Sequence, residues 1–369
     1  VTAGQQTGAR LASLDAVRGF AVLLVVGYHA SFRFPASAND FVAGFIRSIG
    51  WIGVDVFFAL SGFLIAGILL RTRDRGREAI VEFFRRRVFR IVPLYLLAVA
   101  TYLIVSLIVG HELEALPNLW MTALLLNGWV IPFLGVENVP YTIAWSLSVE
   151  EFSYVALGIA AAFSRKAILR TIGIFLIGAV VVRWLMLGTE VIDIALIYYF
   201  VPARLDSIAL GALGAVGVYG PLSGGRWSSW LGGSAVLGLM ILFQWAPVGG
   251  WFLPAVGYTV FGLVAAIWVA QLASVQQTIA SPVTRMLAAV GEVSYFIYLF
   301  HMFVLDAVRM AASEVLGINF SFWPALLLSV LLVYFAARVS WRFFEAPLIA
   351  RGRRKQGRSA ASAGTGASP

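Results

Sequence analysis

The sequence predicts an all-α fold: a polytopic membrane helix bundle of about ten transmembrane helices plus one re-entrant or interfacial segment. Three observations predict it. First, 60% of the 369 residues are hydrophobic and only 12% are charged, about half the charged share of a soluble domain. Second, apolar stretches of roughly 20 residues, the length that crosses the hydrocarbon, recur along the whole chain. Third, arginines gather in alternate loops between those stretches, as membrane topology requires.

The apolar stretches lie at about 16–40, 50–70, 91–109, 119–134, 145–163, 167–187, 198–219, 229–246, 252–272, 289–311 and 323–345. The first contains Arg18 and His29 and is followed by no small-residue cleavage site, so it reads as a retained span rather than a signal peptide. The loop 71–90 holds Arg71, Arg73, Arg75, Arg77, Arg85, Arg86, Arg87 and Arg90 and is expected in the cytoplasm. The loop 110–118, which includes His111, has no Lys or Arg and is expected outside; Arg165, Lys166 and Arg170 are expected inside again. That alternation permits one crossing between 118 and 164. The 145–163 stretch therefore spans, and 119–134, which carries Pro132 and precedes Gly135 and Pro140, is a hairpin, re-entrant or interfacial piece. Arg226, Arg285 and the tail arginines Arg351, Arg353 and Arg354 then fall inside. The expected layout is a multi-pass protein of the cell membrane with both termini cytoplasmic: residues 1–10 as a cytoplasmic segment, 11–348 as the membrane domain, and 349–369 as a basic tail. Ser359 to Pro369 are too polar to fold.

Composition also excludes. The net charge of +9 sits between apolar runs, with no soluble basic domain to bind nucleic acid, so no nucleic-acid partner is expected. The absence of cysteine excludes disulfides, thiolate metal sites and a cysteine nucleophile. Three dispersed histidines give no metal-ligand spacing. Neither a metal nor a permanently bound cofactor is expected.

Ionisable groups inside a span are costly and are functional candidates by default. Arg18 and His29 are eleven residues apart, which on a helix returns within about 20° of one face and separates them by about 16 Å. His29 is expected near the outer end. Asp55 lies about 8 Å into the second span by helical rise, and Glu150 at a similar depth. Arg204 and Asp206 lie just inside the outer end of another span. A histidine beside a carboxylate is a general-base arrangement, so His29, Glu150 and Asp55 are the catalytic candidates. The alternative for Asp55 is a structural pairing with a nearby arginine; Arg204 and Asp206 read as a structural pair more than as catalytic groups, and His301 and Glu345 equally as packing or satisfied polar groups. On the inner side Arg87 and Arg90 share a helix face, and guanidinium forks suit phosphate; the alternative is a positive anchor on anionic lipid.

These residues carry a resemblance. From about Leu11 to Leu348 the chain resembles the acyltransferase-3 family of membrane O-acyltransferases. The matching stretches, in order, begin with Leu14-Asp15-Ala16-Val17-Arg18-Gly19 plus His29, the run Gly53 to Ile65 around Asp55, and Arg87-Val88-Phe89-Arg90. Trp145-Ser146-Leu147-Ser148-Val149-Glu150-Glu151, Arg204-Leu205-Asp206, Ser294 to His301 and Phe344-Glu345-Ala346-Pro347-Leu348 complete them. Ala16-Val17 and Phe152-Ser153 depart from the commoner residues. The resemblance implies an enzyme that moves an acyl group, acetyl first, from cytoplasmic acetyl-CoA or another acyl-CoA to a hydroxyl of a carbohydrate or glycan acceptor. It implies donor binding by Arg18, Arg87 and Arg90 and acceptor binding around Trp145, Ser148, Arg204 and Asp206. The rival reading is a proton-coupled transporter of a carbohydrate or lipid-linked intermediate, for which the expected two similar halves are missing.

Overall fold

The structure is a computed structural model that describes residues 3–110, 113–189, 192–219, 234–235, 238, 250–274 and 281–353. Among these residues there is no strand, and eight stretches are long and apolar enough to cross a membrane. The chain is a polytopic all-α bundle. The expected span at 229–246, Arg226, His111 and the tail beyond 353 lie outside the described residues.

The first helix, α1 (Ala3–Ser31), ends earlier than the apolar run suggested: Pro35 and polar residues turn the chain before α2 (Phe41–Ile49), which Asp40 caps by accepting the Ala43 N–H. Then come α3 (Gly53–Thr72) and α4 (Arg77–Val109), the latter stopped by left-handed Gly110, φ 71°. The 119–134 piece forms two short helices, α5 (Leu119–Ala123) and α6 (Asn127–Leu134), neither long enough to span. Next are α7 (Trp145–Phe163) and α8 (Arg165–Leu187), separated by Ser164, whose hydroxyl caps α8. The expected span at 198–219 is not one continuous α-helix. Its start is 3-10 turns around Pro202, and only α9 (Leu205–Ala215) is α-helical, about 16 Å of rise against about 30 Å of hydrocarbon. The described remainder is α10 (Tyr258–Ser274), α11 (Pro282–Glu292), α12 (Ser294–Met310), α13 (Phe322–Ser340) and α14 (Ala346–Arg353).

Two close helix pairs set the interior. Gly19 of α1 lies against the Leu287 carbonyl, and Gly291 against the Asp15 carbonyl, so α1 runs beside α11 and α12 with backbones nearly touching. The same register, 272–273 residues apart, carries upward to His29–His301 and Arg33–Asp306, so the helices are parallel. Likewise Gly62 of α3 meets the Ile208 carbonyl and Gly211 the Ala59 carbonyl, with Asp55 beside Arg204 and Ser207. Small residues at crossings are how membrane helices approach closely. The opposite faces are apolar and exposed: Leu327, Leu331 and Phe335 recur every fourth residue on α13, and Val88, Val92 and Leu96 on α4. Such stripes are the lipid-facing counterpart of a soluble protein's polar surface.

Candidate active site

The site assembles from α1, α3, α4, α7 and α12 around a cavity of about 100 Å³. Arg18, Arg87 and Arg90 line one part of it, Glu150, Glu151, Tyr154 and Ser61 the middle, and Phe57, Ser146 and Tyr298 the other. Helix α7 gives the scale. Ser146 bonds Tyr298, and eight residues on, Tyr154 lies under Arg87, its ring 4.5 Å from the guanidinium. Eight residues of α-helix are about 12 Å. Between them the Ser61 hydroxyl donates to Glu150 at 2.9 Å, and the Tyr154 hydroxyl donates to the other carboxylate oxygen at 3.1 Å. Arg18 is ion-paired to Asp15 one turn earlier. Among the described residues Arg87 and Arg90 have no ion-pair partner, and the Glu151 Oε1 atom is buried without a hydrogen bond. Two guanidinium groups that face the cavity outside any direct salt bridge, with Glu150 and Glu151 beside Arg87, can take an anionic ligand such as phosphate.

His29 lies past the Tyr298 end of this cavity, and its partner is another histidine. His301 Nε2 is 3.1 Å from His29 Nδ1. His301 Nδ1 faces the carbonyl oxygens of Tyr298 at 2.7 Å and Ile297 at 3.2 Å. Carbonyls only accept, so in the neutral ring Nδ1 carries the proton and Nε2 offers a lone pair. His29 Nδ1 faces that lone pair and the Val25 carbonyl at 2.9 Å, so it too must be the protonated nitrogen. The lone pair of His29 is left on Nε2. One ring thus fixes the tautomer of the other, the work a carboxylate usually does beside a catalytic histidine.

This changes the expected partnership. Neither Glu150 nor Asp55 hydrogen-bonds His29 in the structure. Glu150 is held instead by the Ser61 and Tyr154 hydroxyls in the arginine-lined cavity, beside Arg87. Asp55 is fully buried and taken by Arg204 at 2.6 Å and by the Ser207 hydroxyl at 2.9 Å. Arg204 and Asp206 do not pair with each other: Asp206 bonds Arg183 at 2.9 Å and accepts from the Thr259 hydroxyl at 2.6 Å. The Arg204 guanidinium lies 3.9 Å from the Tyr258 ring centre and 4.9 Å from that of Tyr198. These four charges form a buried layer tying α3, α8, α9 and α10 together, and none of them lines the cavity. Trp145 packs its ring 4.7 Å from Tyr198 in the 3-10 turns Ile194–Tyr199, and the Ser148 hydroxyl accepts the Gly128 N–H, which holds the short α6 segment against α7.

Sequence reasoning passed over Arg183, Ser61, Tyr154 and Tyr298 as site residues. Arg183 had a signal, a lone arginine within an apolar run. The other three are ordinary polar interruptions whose meaning depends on which helix faces them.

In this polytopic helix bundle, arginines line one part of a cavity and a histidine pair lies past the other. Residues 11–339 match the acyltransferase domain family, and the chain belongs to that family, whose members transfer acyl groups. It is 25% identical to the O-acetyltransferase OatA of Staphylococcus aureus, over 93% of this chain and 58% of that protein. It is 27% identical to the putative peptidoglycan O-acetyltransferase YrhL of Bacillus subtilis, over 92% and 55% respectively. The peptidoglycan O-acetyltransferase OatA of Listeria monocytogenes is 26% identical, over 91% and 55%. The chain therefore spans just over half the length of these curated relatives. No solved structure matches it.

Proposed function

We propose that this chain is a membrane O-acyltransferase that moves an acetyl group from cytoplasmic acetyl-CoA to a hydroxyl of an extracytoplasmic glycan, of the peptidoglycan type named in its relatives. The single observation that carries the reading is the placement of Arg87 and Arg90, neither in a direct salt bridge among the described residues, at one part of a cavity whose other part reaches Tyr298, one helical turn from His301. Donor phosphates dock on Arg87 and Arg90, with Arg18 half-neutralised by Asp15 beside them. The thin pantetheine arm runs along α7 past Glu150, which Ser61 and Tyr154 hold in place. The thioester carbon then lies toward His29.

His29 Nε2 takes the proton of the acceptor hydroxyl as its oxygen attacks the thioester carbon. The C–O bond forms, the C–S bond breaks, and the departing thiolate receives that proton to leave as free CoA. Orientation follows: the arginine end faces the cytoplasm, where acyl-CoA is made, and the histidine end faces outward.

Purified protein in proteoliposomes, given radiolabelled acetyl-CoA and glycan fragments, tests the reading. Labelled glycan and stoichiometric free CoA are expected. Arg87→Lys with Arg90→Lys is expected to raise the donor KM about tenfold or more, since lysine lacks the bidentate fork. Neither label transfer nor thioester loss with any cell-envelope acceptor would overturn it.

A further inference from the structure

The cavity ends at Tyr298, and the way it ends has a consequence for the donor. The Tyr298 hydroxyl is bonded to the Ser146 hydroxyl at 2.6 Å and to the Ile143 carbonyl at 2.9 Å. Because a carbonyl only accepts, the Tyr298 proton goes to Ile143, and Ser146 donates to the phenol oxygen. The ring is thereby fixed at both ends, by its backbone on α12 and by its hydroxyl on the turn that opens α7. One side of Tyr298 lines the cavity, with Phe57 of α3 opposite at 6.3 Å between ring centres. The His301 ring lies 5.9 Å from the Tyr298 ring centre. Tyr298 is thus in contact with both the arginine cavity and the histidine pair.

From this geometry we infer that Tyr298 is the residue that restricts the donor to short acyl groups. The inference rests on the proposed acyl-CoA reading. With the phosphates at Arg87, a folded pantetheine arm brings the acyl end of the donor to the level of Tyr298, about 12 Å along α7. An acetyl group ends against the ring. Each further methylene must occupy space held by the rings of Tyr298 or Phe57, and packed interiors do not yield such space without strain. The two hydrogen bonds matter because they hold the ring in place; a tyrosine free to swing would be a soft limit.

Initial rates with acetyl-CoA and hexanoyl-CoA, measured on one glycan acceptor by mass spectrometry, test this as a ratio of kcat/KM values. The wild type is expected to favour acetyl by at least a hundredfold. Tyr298→Leu, which shortens the wall, is expected to raise the hexanoyl-to-acetyl ratio at least tenfold. Tyr298→Phe, which keeps the ring and removes both hydrogen bonds, is expected to raise it a few-fold. If Tyr298→Leu does not accumulate, Phe57→Ala on the facing wall reads the same ratio with the same expectation. A wild type that uses both donors equally, or a ratio within twofold of wild type in the shortened variant, overturns the inference while leaving the acyltransferase reading intact. A wild type that transfers from neither donor overturns both.

Discussion

At the residue scale, the histidine pair makes a distinction that the expected histidine–carboxylate pair would not. If His29 Nε2 is the base and His301 only sets its tautomer, the two substitutions differ in kind. His29→Ala is expected to lower kcat by 10²- to 10⁴-fold, the usual worth of a general base. His301→Ala is expected to lower it less, with donor KM unchanged, and His301→Gln, whose amide oxygen can still accept from Nδ1–H, to recover part of the loss. A pH–rate profile checks the assignment: its acidic limb should move in the His301 variants and vanish in His29→Ala. Equal, complete loss in both would instead make them joint catalysts. The buried charges give a second test. Asp55→Asn leaves Arg204 buried and unpaired, and breaking one side of such a pair costs about 3–5 kcal/mol. The expected outcome is a lower thermal midpoint in detergent, whereas Asp55→Leu with Arg204→Met restores it, since removing both charges is often neutral. Loss of turnover in Asp55→Asn at full stability would return Asp55 to the catalytic set.

At the element scale, the glycines at helix crossings reverse an ordinary expectation. Alanine normally stabilises a helix by about 1 kcal/mol relative to glycine. At Gly19 and Gly62 a methyl would enter the backbone carbonyls of Leu287 and Ile208, so the helices must separate, and overpacking costs about 1–3 kcal/mol. Gly19→Ala is expected to lower the thermal midpoint, and, because the same register seats His301 against His29, to lower turnover as well. Asp40 supplies a pH test outside the spans. The Ala43 N–H and then the Trp323 indole N–H hold its carboxyl below the usual range. A depressed pKa in the folded state means stability that is present above the ordinary carboxylate range and lost as pH falls through the folded value. The protection factor at the first turn of α2, which is exchange corrected for its intrinsic pH dependence, is therefore expected to fall below about pH 4, and to stay constant with pH in Asp40→Asn. These contacts also explain what the sequence could and could not disclose. Spanning helices such as α3, α4 and α8 were legible because apolar length alone specifies them. The shortness of α9 was not, since an apolar run looks the same whether it forms one helix or 3-10 turns around a proline. The partnering of His29 with His301 was hidden for a related reason: it depends on Gly19 meeting Gly291, a tertiary register that neither helix declares.

At the scale of the whole molecule, the bundle separates two chemistries along one axis. Three arginines lie at one end of the cavity, a histidine pair past the other, and α1 contributes Arg18 and His29 to both. Transfer across such an arrangement has meaning only if the ends face different compartments, which is a claim about topology. The absence of cysteine makes it unusually clean to test, since a single introduced thiol has no background. Asn138, between α6 and α7, and Arg75, between α3 and α4, are both exposed in the structure, so accessibility depends on the membrane and not on packing. In intact cells an impermeant maleimide is expected to label Asn138→Cys at once and Arg75→Cys only after lysis. The reverse pattern would turn the arginine end outward, away from cytoplasmic acyl-CoA, and the two-sided mechanism would fall. Labelling of both from outside would mean that the short α5–α6 pair and α7 do not share the single crossing between 118 and 164, on which the orientation of everything after it depends.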